Sequence, residues 1–146
     1  MHKIFFCLIM ISGVFSAVAE EHTVNLVTTG SDGQMMVMEP GFIKIKVGDS
    51  IKFIPSDITH NASSFIGPQT SKAFSTGLGK IESIKFETEG VYLYKCDPHF
   101  MIGMIGLIKV GSPVNIDEVK NIWESKKGTV IANQERIDDY LKMVIN

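Results

Sequence analysis

The stretch YKCDPHFMIGM, residues 94–104, sets a thiol at Cys96, an imidazole at His99 and a thioether at Met104, in the spacing C-x2-H-x4-M. Strand-forming residues flank it, Val91-Tyr92-Leu93-Tyr94 before and Ile105 to Val110 after, so the segment reads as a loop between two strands. A loop can fold back on one point. Side chains of three different lengths can therefore converge there, which alternating strand residues could not do. A fourth donor, His60, stands far away in sequence, in the loop after Ile54-Pro55. Two imidazoles, a thiolate and a weak axial thioether make up the ligand set of a blue-copper site.

That set suits copper in both of its oxidation states. The oxidised ion prefers tetragonal N and O ligands and the reduced ion prefers softer, fewer ones, so the mixed set serves each moderately. Taken singly, each residue has a plainer reading. Met104 alone would be core, as would several of the eight methionines, and His60 alone would be a surface histidine in a turn. Their combination with Cys96 points to metal, whereas His22 has no such company. Structural zinc takes four Cys or His ligands and catalytic zinc takes His or carboxylate, so methionine argues against zinc. A Cys/His nucleophile pair would need a third, orienting residue and an oxyanion hole, and no such motif is present, so no enzyme activity is expected.

Outward from this loop, residues 22–110 read as short strands punctuated by turns. His22 to Thr29 stops at Gly30-Ser31-Asp32-Gly33, Met35 to Glu39 and Phe42 to Val47 flank Pro40-Gly41, and Gly48-Asp49 precedes Ser50 to Ile54. Ile43, Ile45 and Val47 face one way and the intervening lysines the other. Ile84-Lys85-Phe86 is a further strand, and residues 56–80 loosen into Ser, Thr, Gly and Pro, which predicts loops with room for a short strand or helix among them. A mainly β chain of this kind is a sandwich or a small barrel. After Gly111-Ser112-Pro113 the period changes. Asn115 with Glu118 has the form of a capping box, and Ile116, Val119, Ile122 and Trp123 share a helical face up to Gly128. Ile137, Tyr140, Leu141 and Val144 form a second such stripe. Residues 112–146 are thus expected to be an α-helical hairpin packed on the β-sandwich of residues 20–111.

At the other end, Met1-His2-Lys3, an apolar run from Ile4 to Val18 and the close Ala17-Val18-Ala19 have the form of a secretory signal peptide cleaved after Ala19. The run is shorter than the roughly 20 apolar residues of a membrane span. Of 146 residues, 19 leave with the leader and 127 remain, enough for one domain with its own core. Lys3 is lost and no acidic residue is, so 14 basic residues become 13 against 16 acidic, a charge of −3 that suggests no nucleic-acid partner. Cys7 also goes, leaving Cys96 alone in an oxidising compartment, where an unpaired thiol must be buried, inert or metal-bound.

With these residues in view the sequence resembles the cupredoxins, the type 1 blue-copper family, and within them the pseudoazurin subfamily. The resemblance spans nearly all of the chain after the leader. It rests on Asp32-Gly33, Met36-Val37, Glu39-Pro40, Gly48-Asp49, Phe53-Ile54-Pro55, His60-Asn61, Gly90-Val91-Tyr92, Lys95-Cys96, Pro98-His99, Gly103-Met104 and the helical tail. Plastocyanins share the C-x2-H-x4-M loop but end at the last strand, and amicyanins use a shorter His-to-Met spacing. The resemblance implies a Greek-key β-sandwich of eight strands with one copper, a buried His60 and a His99 that reaches the surface through an apolar patch. It implies that the Asn61 N–H bonds the cysteine sulfur while its side chain ties two loops, and that Pro98 cannot offer a second such bond. Met36 resembles a residue packed near the exposed histidine, and plain core is its other reading. The chain departs at Ile58, where lysine is frequent, at Met101-Ile102, and in its acidic balance. The implied role is a periplasmic, monomeric electron carrier. Its redox partners, a copper nitrite reductase or cytochromes, dock near His99, and it has no membrane insertion after cleavage. The alternative is a periplasmic copper-binding or delivery protein.

Overall fold

The computed structural model describes residues 18–145, so all but the last two residues of the expected leader lie outside the described residues. Eight strands form in the order β1 Glu21–Thr29, β2 Met35–Glu39, β3 Phe42–Ile45, β4 Ser50–Pro55, β5 Ser63–Ile66, β6 Glu82–Lys85, β7 Gly90–Lys95 and β8 Ile105–Val110. Two helices follow, α1 Ile116–Lys126 and α2 Glu135–Ile145. The strands divide into two sheets, β2-β1-β4-β6 and β3-β8-β7-β5. The architecture is the expected mainly β, eight-stranded sandwich with a helical pair. None of the described helices is long and apolar enough to cross a membrane.

Alternation along the strands decides what each face meets. In β7, Tyr92 and Tyr94 point into the space between the sheets, where they join Val24, Leu26, Ile51, Phe53 and Ile108. Val91 and Leu93 point the other way and pack with Ile105, Leu107, Val119, Trp123, Ile137 and Leu141. The second sheet is therefore buried on both faces, and the helices make a third layer over it. The Trp123 indole N–H donates to Asp138 at 2.8 Å and joins α1 to α2. Gly41 is required by a close approach, since a Cβ there would lie 1.8 Å from the Tyr140 hydroxyl on α2.

The loose segment 56–80 contains β5, the short strand for which it left room, half polar and paired with β7 through Ser63↔Lys95 and Ser64↔Tyr94 before a bulge. Three expectations change in detail. The strand expected to reach Val47 ends at Ile45, and Val47 is 51% exposed in the following turn. Phe86 lies just past β6 yet is core. Asn115 sits at the start of α1 without capping it. Its amide instead accepts from the Val91 N–H at 2.7 Å and donates to the Val91 carbonyl at 3.0 Å, pinning the helix to β7.

His22, the histidine without metal company, bonds Asp49 at 3.0 Å. Asp49 is buried and also accepts from the backbone N–H groups of Glu20 and Lys46, each at 2.9 Å. The Glu20 amide, then the His22 ring and the Lys46 amide, lower this carboxyl from 3.8 to about 2. Because the folded value is depressed, the stabilisation is present above about pH 3.8 and is lost as the pH falls through about 2. Asp49→Ala should therefore cost about 2 kcal/mol or more at pH 7 by stranding its donors. Asp49→Asn should flatten the acid limb of the stability curve over that window. Thermal unfolding across a pH series checks both, and an unchanged acid limb in Asp49→Asn would count against this account.

Candidate metal centre

The loop after β4 prepares His60. The parallel register of β1 and β4 sets Leu26 beside Pro55, which carries Thr28 to the start of this loop. The Thr28 hydroxyl donates to Asp57 at 3.2 Å, and its oxygen lies 3.0 Å from His60 Nε2. With its one proton engaged, that oxygen accepts from Nε2–H, so the ring's lone pair is on Nδ1. Burial holds His60 below its ordinary pKa, more strongly than the nearby Asp57 raises it. The ring is thus neutral, as a ligand must be. Thr28 and Asp57 were not singled out in the sequence. Asp57 three residues before a histidine was the one available signal.

The loop between β7 and β8 brings its three donors together by its own backbone bonds. The Cys96 N–H donates to the Met104 carbonyl at 2.9 Å, and the Met104 N–H donates to the His99 carbonyl at 3.2 Å. Phe100–Ile102 form a 3-10 turn that Gly103 ends at φ 81°, the left-handed conformation that glycine adopts without strain. Cys96 Sγ stands 3.5 Å from His99 Nδ1 and 3.9 Å from His60 Nδ1, and the three ligand atoms all lie within 4.8 Å of one another. His60, Cys96 and Met104 have no exposed surface, while His99 is half-buried. Both histidines thus turn Nδ1 toward the sulfur.

One side-chain amide joins the two loops. Asn61 accepts from the Asp97 N–H at 2.8 Å and donates to the Asp97 carboxylate at 2.8 Å. Ser63 adds a bond to the same carboxylate at 2.8 Å, and Lys95 forms an ion pair with it. Burial pushes the Cys96 thiol up, and the backbone N–H groups of Asn61 and His99 oppose that shift. A thiol raised by burial needs a cation to become a thiolate, and the donors fit copper: two imidazoles, a sulfur, a buried thioether and no carboxylate among them.

The copper-binding plastocyanin/azurin family model matches residues 24–111, more than half of the chain. The chain belongs to this copper-binding family. Within it, pseudoazurins are among the similar proteins. That of Methylorubrum extorquens strain AM1 is 37% identical over 89% of this chain and 86% of its own length. That of Paracoccus pantotrophus is 35% identical over 86% of this chain and 85% of its own. The crystal structure of native pseudoazurin from Hyphomicrobium denitrificans superposes with a TM-score of 0.74 at 33% identity, covering 86% of this chain and 99% of that one.

Since Asn61 satisfies two partners across the loops, Asn61→Ala should strand the Asp97 N–H and cost about 2 kcal/mol in the metal-free protein. It should also speed copper loss to a chelator several-fold, because the loops then part more readily. Differential scanning calorimetry and chelator competition check the two effects. Unchanged stability together with unchanged copper release would refute the tie.

Proposed function

We propose that this protein is a periplasmic carrier of single electrons, exported by its leader and holding one copper ion at His60, Cys96, His99 and Met104. The observation that carries the reading is the convergence of imidazole, thiol and imidazole within 4.8 Å, with each ring's Nδ1 turned to the sulfur. Bound copper supplies the Cu(I)/Cu(II) couple. The chain's part is to hold the donors in one arrangement for both states. Thr28 and Asp57 fix the His60 ring, the amide of Asn61 fixes the loops, and the burial of three donors excludes water. Such rigidity lowers the structural change that accompanies electron movement. In this role the protein passes electrons and makes or breaks no bond of a substrate, as befits its likeness to pseudoazurins.

His99 is the donor that approaches the surface, and the electron enters and leaves at its outer edge. Met101, two residues after it, is 57% exposed, and Ile58, two before His60, is 81% exposed. An apolar contact here suits a redox partner that binds briefly, and the resemblance points to a copper nitrite reductase or a cytochrome. Delivery of copper would instead need an open, exchangeable site, which three donors without exposed surface do not favour. The oxidised protein should be intensely blue, and Cys96→Ser should be colourless yet folded. The metal-free protein should keep its β circular dichroism, since its two cores need no metal. A colourless wild type with fast copper exchange would favour delivery.

Lys95, the basic residue beside Cys96, is engaged by Asp97 and stands 5.4 Å from the centre of the Phe100 ring, so it offers little free charge to a partner. With an acidic overall balance, the second-order rate of electron transfer should fall only modestly from low to physiological ionic strength. Met101→Lys and Ile102→Lys should each slow it by roughly fivefold, the effect of losing about 1 kcal/mol at a contact. Lys72→Ala should leave it nearly unchanged. Stopped-flow oxidation across a salt series tests this, and a steep salt dependence would place docking elsewhere.

A further inference from the structure

The helical tail does more than cover a sheet. Three successive carbonyls of the ligand loop accept from it. The Ile131 N–H donates to Met101 at 2.7 Å, the Asn133 side chain to Ile102 at 2.9 Å, and Arg136 Nη1 to Gly103 at 2.8 Å. The approach is tight enough that a Cβ on Gly103 would lie 2.5 Å from the Ala132 carbonyl. Arg136 also reaches the start of β2. Nη1 donates to the Met36 carbonyl at 2.9 Å, and Nη2 donates to the Gln34 side chain at 3.1 Å and to the Met35 carbonyl at 3.4 Å.

Arg136 is buried, at 7% exposure, and its Nε has no partner. Among the described residues no carboxylate lies within ion-pair distance of it. A buried guanidinium without a counter-charge is a poor device for stability, because its desolvation is costly and carbonyl oxygens only partly offset it. What it does supply is a planar fork with fixed directions. The bond between Gly103 and Met104 is a rigid plane. Its carbonyl is held by Arg136 Nη1 and by the Ile105 N–H at 2.9 Å, and its N–H is held by the His99 carbonyl. Both edges of the plane from which Met104 departs are therefore pinned. An axial thioether is a weak ligand that cannot fix its own position, and it tunes the potential of such sites.

Resting on the reading of Met104 as axial donor, we propose that Arg136 is a positioning residue for that donor, acting from the C-terminal helix through the Gly103–Met104 peptide. The tail is then part of the metal site's tuning, although it contributes no ligand.

The test uses the chain from Glu20 onward, with and without copper, as wild type, Arg136→Met, Arg136→Lys and Val144→Ala. Arg136→Met keeps volume but no donors, Arg136→Lys keeps charge and one donor head, and Val144→Ala loosens the same helix at a buried apolar position away from the loop. In the metal-free protein, amide exchange at Ile105 should quicken about tenfold or more in Arg136→Met, as expected for loss of a bond to a charged donor. In the copper form the same variant should change the relative intensities of the visible bands, the rhombicity of the Cu(II) electron spin resonance signal and the potential, with Arg136→Lys intermediate. Val144→Ala should lower the melting temperature and change none of these. Unchanged exchange and spectra in Arg136→Met, whatever its melting temperature, would overturn the proposal, as would equal spectral change in Val144→Ala. Should Arg136→Met fail to fold, Arg136→Lys decides by the same readouts. A wild type that takes up no copper would sink the functional reading and the axial role with it, and exchange at Ile105 would still decide whether Arg136 holds the peptide.

Discussion

Asn61 and Asp97 are 36 residues apart, on loops that belong to different strand connections, and one amide side chain meets both a backbone N–H and a carboxylate across the gap. Remove that meeting and the loop of His60 is tied to the loop of Cys96, His99 and Met104 only by the Ser63 bond to Asp97, the β5–β7 pairing beside it and packing. The contact is short, half-buried and directional, and charge strengthens one of its two bonds. Because it is made entirely by protein atoms, the site exists before any ion arrives. An ion bound there inherits a geometry set by the fold rather than by its own preference.

The rest of the molecule can be understood as support for that geometry. One sheet brings His60 through β4 and fixes its ring through Thr28 on the neighbouring β1. The other sheet brings Cys96, His99 and Met104 between β7 and β8, whose antiparallel pairing is continuous from Gly90↔Val110 to Lys95↔Ile105. That second sheet is buried on both faces, against the first sheet inside and against Val119, Trp123, Ile137 and Leu141 outside. Burial on both sides leaves β7 and β8 little freedom to shift register, since a slip by one residue would exchange the two cores. The loop they carry is correspondingly well aimed.

Much of this was legible in the chain, and the parts that were not share a cause. Met35 to Glu39 and Ile105 to Val110 form the strands that their strand-forming residues and bounding turns announced, and the C-x2-H-x4-M spacing marked the loop in which Cys96 and His99 meet His60. Periodicity reports which face of an element is apolar, so the two helical stripes were also plain. It is silent on hydrogen bonds between distant segments. β5 is too short and too polar to announce itself and exists because β7 offers it an edge. Asn115 has the type and position of a helix cap, yet tertiary pairing with Val91 claims its amide. Thr28 and Arg136 carry no local pattern at all, and Asp57 only its place three residues before His60. Their importance is a matter of which backbone groups the fold brings within reach, and that is decided by register and packing over long separations.

Cys96 is the free thiol of the described residues, and its side chain has no surface open to solvent. An oxidant or a thiol reagent cannot reach the sulfur while the two loops are joined, whatever the reactivity of the group itself. Attack must wait for a local opening in which Asn61 releases Asp97, so the rate of modification of the metal-free protein counts those openings. The cysteine's safety before metal uptake is then a matter of kinetics. The fold closes the door first, and the thiol's own chemistry is rarely consulted.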